Sequence, residues 1–241
     1  AGLHFLEPYR VDGALFIAAG FGSRFVPLTF EMPKGLLDVQ GERMIERQIR
    51  QLQEAGIRDI YVVTGYLGQQ FDYLRERAGV SLIENKEYQV RNNHSSVWAA
   101  RDVLANTYIC SSDNYFTENL FTAAAKRPYY SALYADGPTE EYCLTTDSSG
   151  RITDVTIGGS DSWYMLGHVL FDQRFSSSFL HILEREYNRP ETVNLMWENI
   201  YMKHLDELTL YIKKYHGSAI REFDTVKELA AFEPSYLSYL I

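Results

Sequence analysis

The sequence predicts an α/β protein with a mostly parallel, mixed sheet flanked by helices and a small strand-rich insertion. Two observations carry this prediction. In the first half of the chain, short apolar segments of strand character alternate with amphipathic helical segments, which is the pattern of βαβ units. In residues 129–172 the alternation stops, and strand-like segments follow one another across turn sequences such as DSSG.

The first half supplies the parallel strands. GALFIAAG at 13–20 is a short apolar segment that ends in glycine, as expected of a buried strand. RMIERQIRQLQEAGI at 43–57 has apolar residues at helical spacing and a glycine near its end, which is typical of an amphipathic helix. The other elements predicted here are a strand at 59–66, a helix at 69–79, a strand at 81–85, a helix at 94–105 and a strand at 107–116.

The second half supplies the insertion and the closing elements. We expect antiparallel strands at 129–135, 141–147, 152–159 and 162–172, helices at 177–188 and 191–205, a strand at 209–215, and a short strand and a helix within 220–232. A chain of 241 residues favours one domain, which we place at 13–241 with the insertion at about 129–172. Residues 1–12 are expected to be a stub that leads to an upstream domain or a tag.

Composition restricts the function classes. The chain contains no run of about 18 uncharged apolar residues and opens with no signal peptide, which predicts that it neither spans nor binds a membrane. The net charge of -9, without a cluster of Lys and Arg, argues against nucleic acid as a partner. Cys110 and Cys143 provide neither a disulfide framework nor a zinc ligand set, as is typical of a cytoplasmic protein.

The loop after the first predicted strand carries the clearest functional signal. It reads AAGFGSRFVPLTFEMPKGLL at 18–37 and follows the carboxyl end of a strand, where α/β proteins bind ligands. A dinucleotide fingerprint requires glycine where this chain has Phe25, and a Walker loop requires Gly-Lys-Ser/Thr where it has PKGL. What remains is a glycine-containing loop with two cations suited to phosphate, Arg24 and Lys34. Taken alone, the loop is equally compatible with an ordinary strand-to-helix turn.

The whole string A-A-G-x-G-S-R-x-x-P-L-T-x-x-x-P-K-x-L-L-x-V-x-G is more specific. It resembles the signature of the nucleoside triphosphate transferases that make sugar and alcohol nucleotides. The closer resemblance is to bacterial phosphocholine cytidylyltransferases, and it extends over most of the chain through TGYLGQQFDYLRERAGV, NNHSSVWAARDVL, SSDNYF, MWENIYMKHL and REFDTVKEL. The resemblance implies a Rossmann-like nucleotidyltransferase fold and a reaction, dependent on Mg2+, of CTP with phosphocholine to give CDP-choline and pyrophosphate.

The resemblance also implies a metal site. Asp113 and Asp224 match the two aspartates that hold Mg2+ in such enzymes, and carboxylate oxygens are suitable ligands for this ion. Where relatives often carry Asp-x-Asp, this chain has Ser111, so the number of metal ions stays open. A turn residue and a helix N-cap are the alternative roles of the two aspartates.

Contacts to the nucleotide follow from the same resemblance. Lys34 would contact the transferred phosphate in the transition state, and Arg24 would hold the leaving pyrophosphate. The residues that would contact base and ribose are Ala18, Ala19, Gly20, Gly22, Gly65, Tyr66, Asn93 and Ser96. The alternative role of Asn93 is to cap a polar helix start. No general base is required, because a substrate phosphate has a second pKa of about 6 and is mostly dianionic at neutral pH.

The ammonium end of the acceptor requires different chemistry. A quaternary ammonium group is recognised by aromatic faces. The candidates for this end are Trp197, Tyr142, Trp163, Glu198 and Tyr115. Phosphocholine enzymes tend to carry tryptophan where this chain has Tyr142, so phosphoethanolamine and 2-aminoethylphosphonate remain alternatives to the favoured phosphocholine. Their primary ammonium group would favour a carboxylate such as Asp161 or Glu198.

Three further functions stay open. A sugar-1-phosphate nucleotidyltransferase would share the signature string. A dinucleotide-dependent oxidoreductase is disfavoured by Phe25, and a non-catalytic nucleotide-sensing domain is disfavoured because the chain keeps Lys34 and both aspartates.

Overall fold

The computed structural model describes residues 7–240, which form eleven strands and seven α-helices. The strands are β1 (Gly13–Ala18), β2 (Asp38–Val39), β3 (Glu42–Arg43), β4 (Asp59–Thr64), β5 (Ser81–Glu84), β6 (Thr107–Ser111), β7 (Asn114–Phe116), β8 (Tyr129–Thr146), β9 (Ile152–Phe171), β10 (Tyr211–Lys214) and β11 (Ile220–Glu222). The helices are α1 (Leu28–Glu31), α2 (Met44–Glu54), α3 (Tyr73–Ala78), α4 (His94–Ala99), α5 (Gln173–Glu186), α6 (Trp197–Lys203) and α7 (Val226–Phe232).

Seven of the strands form one mixed sheet in the order β10-β8-β9-β6-β1-β4-β5. Only β9 runs antiparallel to its neighbours, and the other six strands share one direction. The central strand β1 lies between β4 and β6, so the strand order reverses at its carboxyl end, which is where open α/β sheets form a ligand cleft. The predicted fold class is confirmed.

The two faces of the sheet are covered by different helices, because alternate residues of a strand point to opposite faces. Ala14 and Phe16 of β1 belong to a core cluster that includes apolar residues of α2 and α3. Leu15, between them, belongs to a second cluster with residues of α5 and α6.

The insertion is simpler than the sequence predicts. In place of the four expected strands, the structure has two long antiparallel strands, β8 and β9. They pair along their length with several bulges. Gly137, Gly158 and Asp161 have positive φ angles of 95°, 79° and 51°, and they bend the strands without ending them. The turn residues DGP and GGSD in the sequence therefore mark irregularities inside a hairpin, whereas DSSG does form its turn.

Other boundaries differ locally. The strand expected at 107–116 is divided into β6 and β7, because the chain turns at Ser112 and Asp113. The helices expected at 94–105 and 191–205 are shorter, each accompanied by a separate 3-10 turn. Residues 1–6 of the expected stub lie outside the described residues. In the part of the chain that the structure describes, every helix is too short or too polar to cross a lipid bilayer.

Candidate active site

The loop between β1 and α1 forms one wall of a polar cleft at the carboxyl ends of the strands. Gly22 has a left-handed backbone with φ of 60°, and its carbonyl oxygen accepts a hydrogen bond of 2.9 Å from Thr29 Oγ1. A Cβ atom at position 22 would lie 2.9 Å from the Thr29 side chain. Glycine is therefore required here both by conformation and by space.

This cleft, called the nucleotide cleft below, has a volume of about 610 Å³. Its walls come from the loop after β1, the turn after β5, the start of α4 and the end of β6. The predicted site residues that it brings together are Ala19, Gly20, Gly22, Lys34, Asn93, Ser96 and Asp113. Residues this far apart in the sequence converge on one space, which supports the prediction that they act on one ligand.

Three predicted nucleotide contacts, Ala18, Gly65 and Tyr66, are not among the residues that line the cleft. Ala18 is only 6% exposed. A Cβ atom at Gly65 would lie 2.6 Å from the ring of Tyr88, and the ring of Tyr66 lies 5.2 Å from that of Phe21. Because Tyr88 and Phe21 line the cleft, Gly65 and Tyr66 shape its wall from behind.

Each predicted phosphate-binding cation is paired with a predicted metal carboxylate. Lys34 Nζ lies 2.8 Å from Asp113 Oδ2, and both side chains are largely shielded, with 12% and 23% of their surface exposed. Arg24 Nη1 lies 2.7 Å from Asp224 Oδ1 in a more open position. The positive and negative charges therefore cancel within each pair. If a phosphate binds to Lys34 or Arg24, the carboxylate of that pair must take a new partner.

Glu222 is a third carboxylate at this place, and it is not among the site residues that the sequence predicts. Strand β11 pairs antiparallel with β7, so Glu222 lies opposite Asn114, the neighbour of Asp113. Glu222 is exposed to solvent, but protein groups surround its carboxyl group. Desolvation there, together with the negative charge of Asp113, raises the pKa of Glu222 above its usual value, and Lys34 opposes the shift. The sequence feature that could have indicated Glu222 is the Glu-x-Asp spacing at 222–224, next to the predicted metal ligand Asp224.

A second space, called the acidic cleft below, lies on the other side of Glu222. It has a volume of about 440 Å³, and its polar lining includes Glu141, Tyr164, Glu222 and Asp224. Desolvation, followed by the negative charge of Asp224, raises the pKa of Glu141. The charge of Arg24, the partner of Asp224, opposes this shift, and Arg221 is a cation in the same lining. With Glu228, the acidic groups of the lining still outnumber its one cation, so a further cationic group would reduce the repulsion among the carboxylates.

The carboxylates fit a magnesium ion that arrives together with a phosphate ligand. Within residues 7–240, no three His, Cys, Asp or Glu side chains are arranged as a complete metal site. Mg2+ usually takes one or two protein carboxylates and completes its octahedron with phosphate and water oxygens. Asp113 lines the nucleotide cleft and Asp224 lines the acidic cleft, each paired with a cation. Mg2+ binding by these two carboxylates remains a prediction.

The structure places Trp197 away from any surface that a ligand can reach, contrary to the expectation for the ammonium end. Its side chain is 2% exposed and belongs to the core cluster between the sheet and α5. The indole stacks on Tyr130 at 5.9 Å and meets Phe171 and Phe179 edge-on. The first residue of α6 is turned towards the sheet because its large apolar surface is most stable there.

Two more of the aromatic candidates have their faces covered. Tyr115 is 6% exposed, with the Arg47 guanidinium 4.5 Å from its ring centre. Lys214 Nζ lies 4.8 Å from the ring centre of Trp163, so a protein cation already occupies that face. Tyr142 is half-buried, and its hydroxyl accepts a hydrogen bond of 3.2 Å from Asn199. The expected aromatic box is not assembled from these rings.

The carboxylate candidates differ in accessibility. Asp161 is exposed on the hairpin, where it accepts hydrogen bonds from the Gly137 N–H and the Ser160 hydroxyl. Glu198 is half-buried and accepts a hydrogen bond of 3.2 Å from Asn93 Nδ2. Removal of water from around the carboxyl group raises the pKa of Glu198 to about 7. Asn93 therefore joins the nucleotide cleft to α6.

The helix start at Asn93 has a different capping arrangement from the one expected. Its side chain does not cap α4. Instead, Asn93 Oδ1 accepts a hydrogen bond of 2.7 Å from the backbone N–H of Trp197, the first residue of α6. The same Asn therefore positions the helix that carries Glu198.

Comparisons with known proteins bear on the family and the enzyme class of this chain. Residues 14–142 match the family described as "MobA-like NTP transferase domain". A choline-phosphate cytidylyltransferase of Streptococcus pneumoniae is 33% identical over 91% of this chain and 96% of its own length. A 2-aminoethylphosphonate cytidylyltransferase of Lancefieldella rimae is 38% identical over 95% of this chain and 94% of its own length.

The similarity extends to three dimensions. The solved structure of CTP:phosphocholine cytidylyltransferase from Streptococcus pneumoniae superposes with a TM-score of 0.89, covering 94% of this chain and 99% of that one, at 33% identity. The two relatives act on different acceptors by name, so the choice of acceptor must be argued from the residues of this chain.

Proposed function

The chain belongs to the MobA-like NTP transferase family and is a nucleotidyltransferase, and from this premise we propose that it transfers the cytidylyl group of CTP to a small phosphate or phosphonate that carries a primary amine. Phosphoethanolamine and 2-aminoethylphosphonate are members of this acceptor class. An acceptor oxygen attacks the α-phosphorus of CTP and forms a new P–O bond. The bond from the α-phosphorus to the bridging oxygen breaks, and pyrophosphate leaves with the bonding electrons.

The two ion pairs, Lys34 with Asp113 and Arg24 with Asp224, would lower the barrier by charge and position. The main obstacle is repulsion between an anionic acceptor and a triphosphate, because the acceptor is already deprotonated. Lys34, which is shielded from solvent and fixed beside Asp113, would stabilise charge at the α-phosphate. Arg24, in its open position, would hold the leaving pyrophosphate. A Mg2+ ion held by Asp113 and Asp224 would supply further charge neutralisation.

The acidic cleft is the observation that favours a primary amine. Its lining contains four carboxylates and one cation, namely Glu141, Glu222, Asp224, Glu228 and Arg221. Of its aromatic rings, Phe223 is 3% exposed, Phe232 already has the Arg221 guanidinium 4.6 Å from its ring centre, and Tyr164 is partly accessible, while Trp197 lies in the core. A primary ammonium group donates three hydrogen bonds and suits carboxylates, whereas a quaternary ammonium group can donate none and needs aromatic faces. The Lancefieldella relative, whose named acceptor is a primary amine, supports the same choice.

Phosphocholine is the second candidate acceptor. The Streptococcus relative and its solved structure support it, since both match nearly the whole chain. Tyr142 and Tyr164, both partly accessible rings of the β8–β9 hairpin, are the aromatic groups that could then meet the quaternary ammonium.

Pyrophosphate release measured with each of the four NTPs tests the proposal. The acceptor panel should contain phosphocholine, phosphoethanolamine, 2-aminoethylphosphonate and glucose 1-phosphate, each with CTP, UTP, ATP and GTP. We expect turnover with CTP and a primary amine, at a kcat/KM about tenfold or more above that with phosphocholine, which corresponds to about 1.4 kcal/mol. Higher kcat/KM with phosphocholine would favour the second candidate. Preference for glucose 1-phosphate would contradict both.

A further inference from the structure

Two glutamines lie on the buried face of α2, and the function proposed above gives neither of them a role. Gln48 is fully buried and Gln51 is 2% exposed. The other buried residues of this helix are apolar, namely Met44, Ile45, Ile49 and Leu52. A buried amide group costs free energy unless it is hydrogen-bonded, so the partners of each glutamine indicate what it does.

Gln48 connects the two ends of the turn that carries Asp113. Its Nε2 donates a hydrogen bond of 2.9 Å to the carbonyl of Ser111, the last residue of β6. The same nitrogen donates a second hydrogen bond of 2.9 Å to the carbonyl of Asn114, the first residue of β7. Carbonyl oxygens only accept, so the NH2 group of the amide must face both of them. One side chain of α2 therefore holds the Ser112–Asp113 turn at both ends.

The same turn is packed against the loop that carries Lys34. A Cβ atom at Gly35 would lie 2.7 Å from the side chain of Ser112 and 3.1 Å from its carbonyl oxygen. At this close approach, Lys34 Nζ lies 2.8 Å from Asp113 Oδ2. The position of the turn therefore determines where the Asp113 carboxylate lies relative to Lys34.

Gln51 makes the same kind of contact almost one helical turn further along α2, but away from Asp113. Its Nε2 donates hydrogen bonds of 3.3 Å and 3.2 Å to the carbonyls of Phe116 and Glu118. Among residues 7–240, neither glutamine has a hydrogen-bond partner for its Oε1. The two residues thus match in helix, burial and bonding pattern, and they differ in the part of the chain that they hold.

We propose that Gln48 is a positioning residue that holds the Asp113 carboxylate in place for Lys34 and for the metal ion. This rests on the function proposed above, in which Asp113 is a Mg2+ ligand. Without Gln48, the turn would have to be ordered when the ion binds, and the lost conformational entropy would reduce the affinity for the ion. Groups that orient a metal ligand typically contribute about ten- to a hundredfold to metal affinity or activity.

Gln48→Met and Gln51→Met form a matched pair of variants. Methionine is an unbranched side chain that fills a similar space but has no N–H to donate. The measurement is the Kd of CTP for the full chain by calorimetry, with and without Mg2+, and the ratio of the two values is the Mg2+ effect. We expect this effect to be about tenfold or more smaller in Gln48→Met than in the wild type, and unchanged in Gln51→Met.

A double-mutant cycle with Asp113→Asn separates positioning from general support of the fold. If Gln48 acts through Asp113, Gln48→Met should change the Mg2+ effect little in the Asp113→Asn background, because the ligand that it positions is already lost. A merely structural role predicts the same change in both backgrounds.

Gln48→Glu keeps the proposal testable if Gln48→Met does not fold. The carboxyl group has nearly the shape of the amide and can donate at most one of the two hydrogen bonds, when it is protonated. We expect this variant to lose part of the Mg2+ effect.

Two kinds of result would overturn the proposal, and they are distinguishable. A wild-type Mg2+ effect in Gln48→Met or Gln48→Glu, or an equal loss in Gln48→Met and Gln51→Met, overturns the role of Gln48 while the metal site stands. A wild-type protein whose CTP affinity does not respond to Mg2+, or an Asp113→Asn variant that responds fully, overturns the metal site of the proposed function, and the role of Gln48 with it.

Discussion

The nucleotide cleft and the acidic cleft lie side by side but are built from different parts of the protein. Backbone turns and buried hydrogen bonds shape the nucleotide cleft, as at Gly22 and Gln48. Side chains from the long hairpin and from β11 line the acidic cleft, among them Glu141 and Glu222. The first is organised before any ligand binds, whereas the second concentrates negative charge that a cationic ligand would neutralise.

This difference predicts two kinds of variant. A change in the nucleotide cleft should affect the reaction with every acceptor, since CTP is common to all of them. A change near the acidic cleft should alter the choice of acceptor and leave the CTP affinity nearly unchanged.

Asp113→Asn tests the boundary between the clefts and should have the largest effect. Asp113 pairs with Lys34 and is a predicted Mg2+ ligand. The variant therefore loses the negative charge that holds Lys34 and that would bind the metal ion. We expect kcat to fall by about 10³-fold with every acceptor, with an unchanged melting temperature and a weaker dependence on Mg2+. The exposed Asp206→Asn is the control and should retain wild-type turnover. Normal turnover of Asp113→Asn at low Mg2+ would contradict the assignment.

Trp197→Ala tests whether Trp197 contacts the ammonium group of the acceptor or only packs α6 against the sheet. Because the indole is buried between Tyr130, Phe171 and Phe179, its removal should lower the free energy of unfolding by about 3–5 kcal/mol. Urea unfolding gives this value, and Trp197→Phe should lose less. For the folded fraction, the acceptor KM should stay close to that of the wild type. A selective rise in that KM without loss of stability would place Trp197 at the ligand after all.

Lys34→Ala and Arg24→Ala compare the shielded cation of the nucleotide cleft with the more open cation that is paired with Asp224. Lys34 should matter most where charge develops, so Lys34→Ala should lower kcat by about a hundredfold with a smaller change in the CTP Kd. Arg24→Ala should affect both quantities. Lys227→Ala, on an exposed face of α7, is the control. An unchanged kcat in Lys34→Ala would reduce Lys34 to a solvated loop residue.

The two clefts also differ in how far the sequence predicts them. The signature at 18–37 and the turn at Asn93 and Ser96 are local patterns, and the structure brings them to one cleft with Asp113. The spacing of apolar residues shows which segments are strands and which are helices, because it follows the buried face of each element. The alternation of these strands and helices then predicts the fold class. Local patterns suffice here because backbone geometry determines most of the wall.

The acidic cleft escapes such prediction for a physical reason. Its polar residues come from β8, β9, β11 and the loop that follows, and their proximity depends on strand pairing between distant segments. The sequence gives no register for these pairs. Glu222 was missed because only pairing with β7 brings it beside Asp113. Trp197 was misplaced because a tryptophan near polar residues can equally well belong to the core.

The smallest expected effect concerns Glu198, whose pKa burial raises to about 7. The folded protein binds this proton more tightly than the unfolded chain, where the pKa is near 4.5. The carboxyl group therefore contributes stability below about pH 4.5, and this contribution is lost as the pH rises through about 7. In Glu198→Gln this loss is absent, so the stability of the variant relative to the wild type should increase between pH 5 and pH 8.

Urea unfolding at the two pH values measures this change, and Glu184→Gln on the exposed face of α5 should show none. The same variant also tests whether Glu198, which is outside the linings of both clefts but contacts Asn93, acts on the acceptor or on the nucleotide. If the ionised Glu198 attracts the amine of the acceptor, the wild-type KM for 2-aminoethylphosphonate should fall as the pH rises through 7, and Glu198→Gln should lose this trend. The CTP Kd should follow the same pH course in both proteins, because the hydrogen bond from Asn93 can be made to either side chain. A parallel shift of CTP affinity would instead mean that α6 acts on the nucleotide cleft through Asn93.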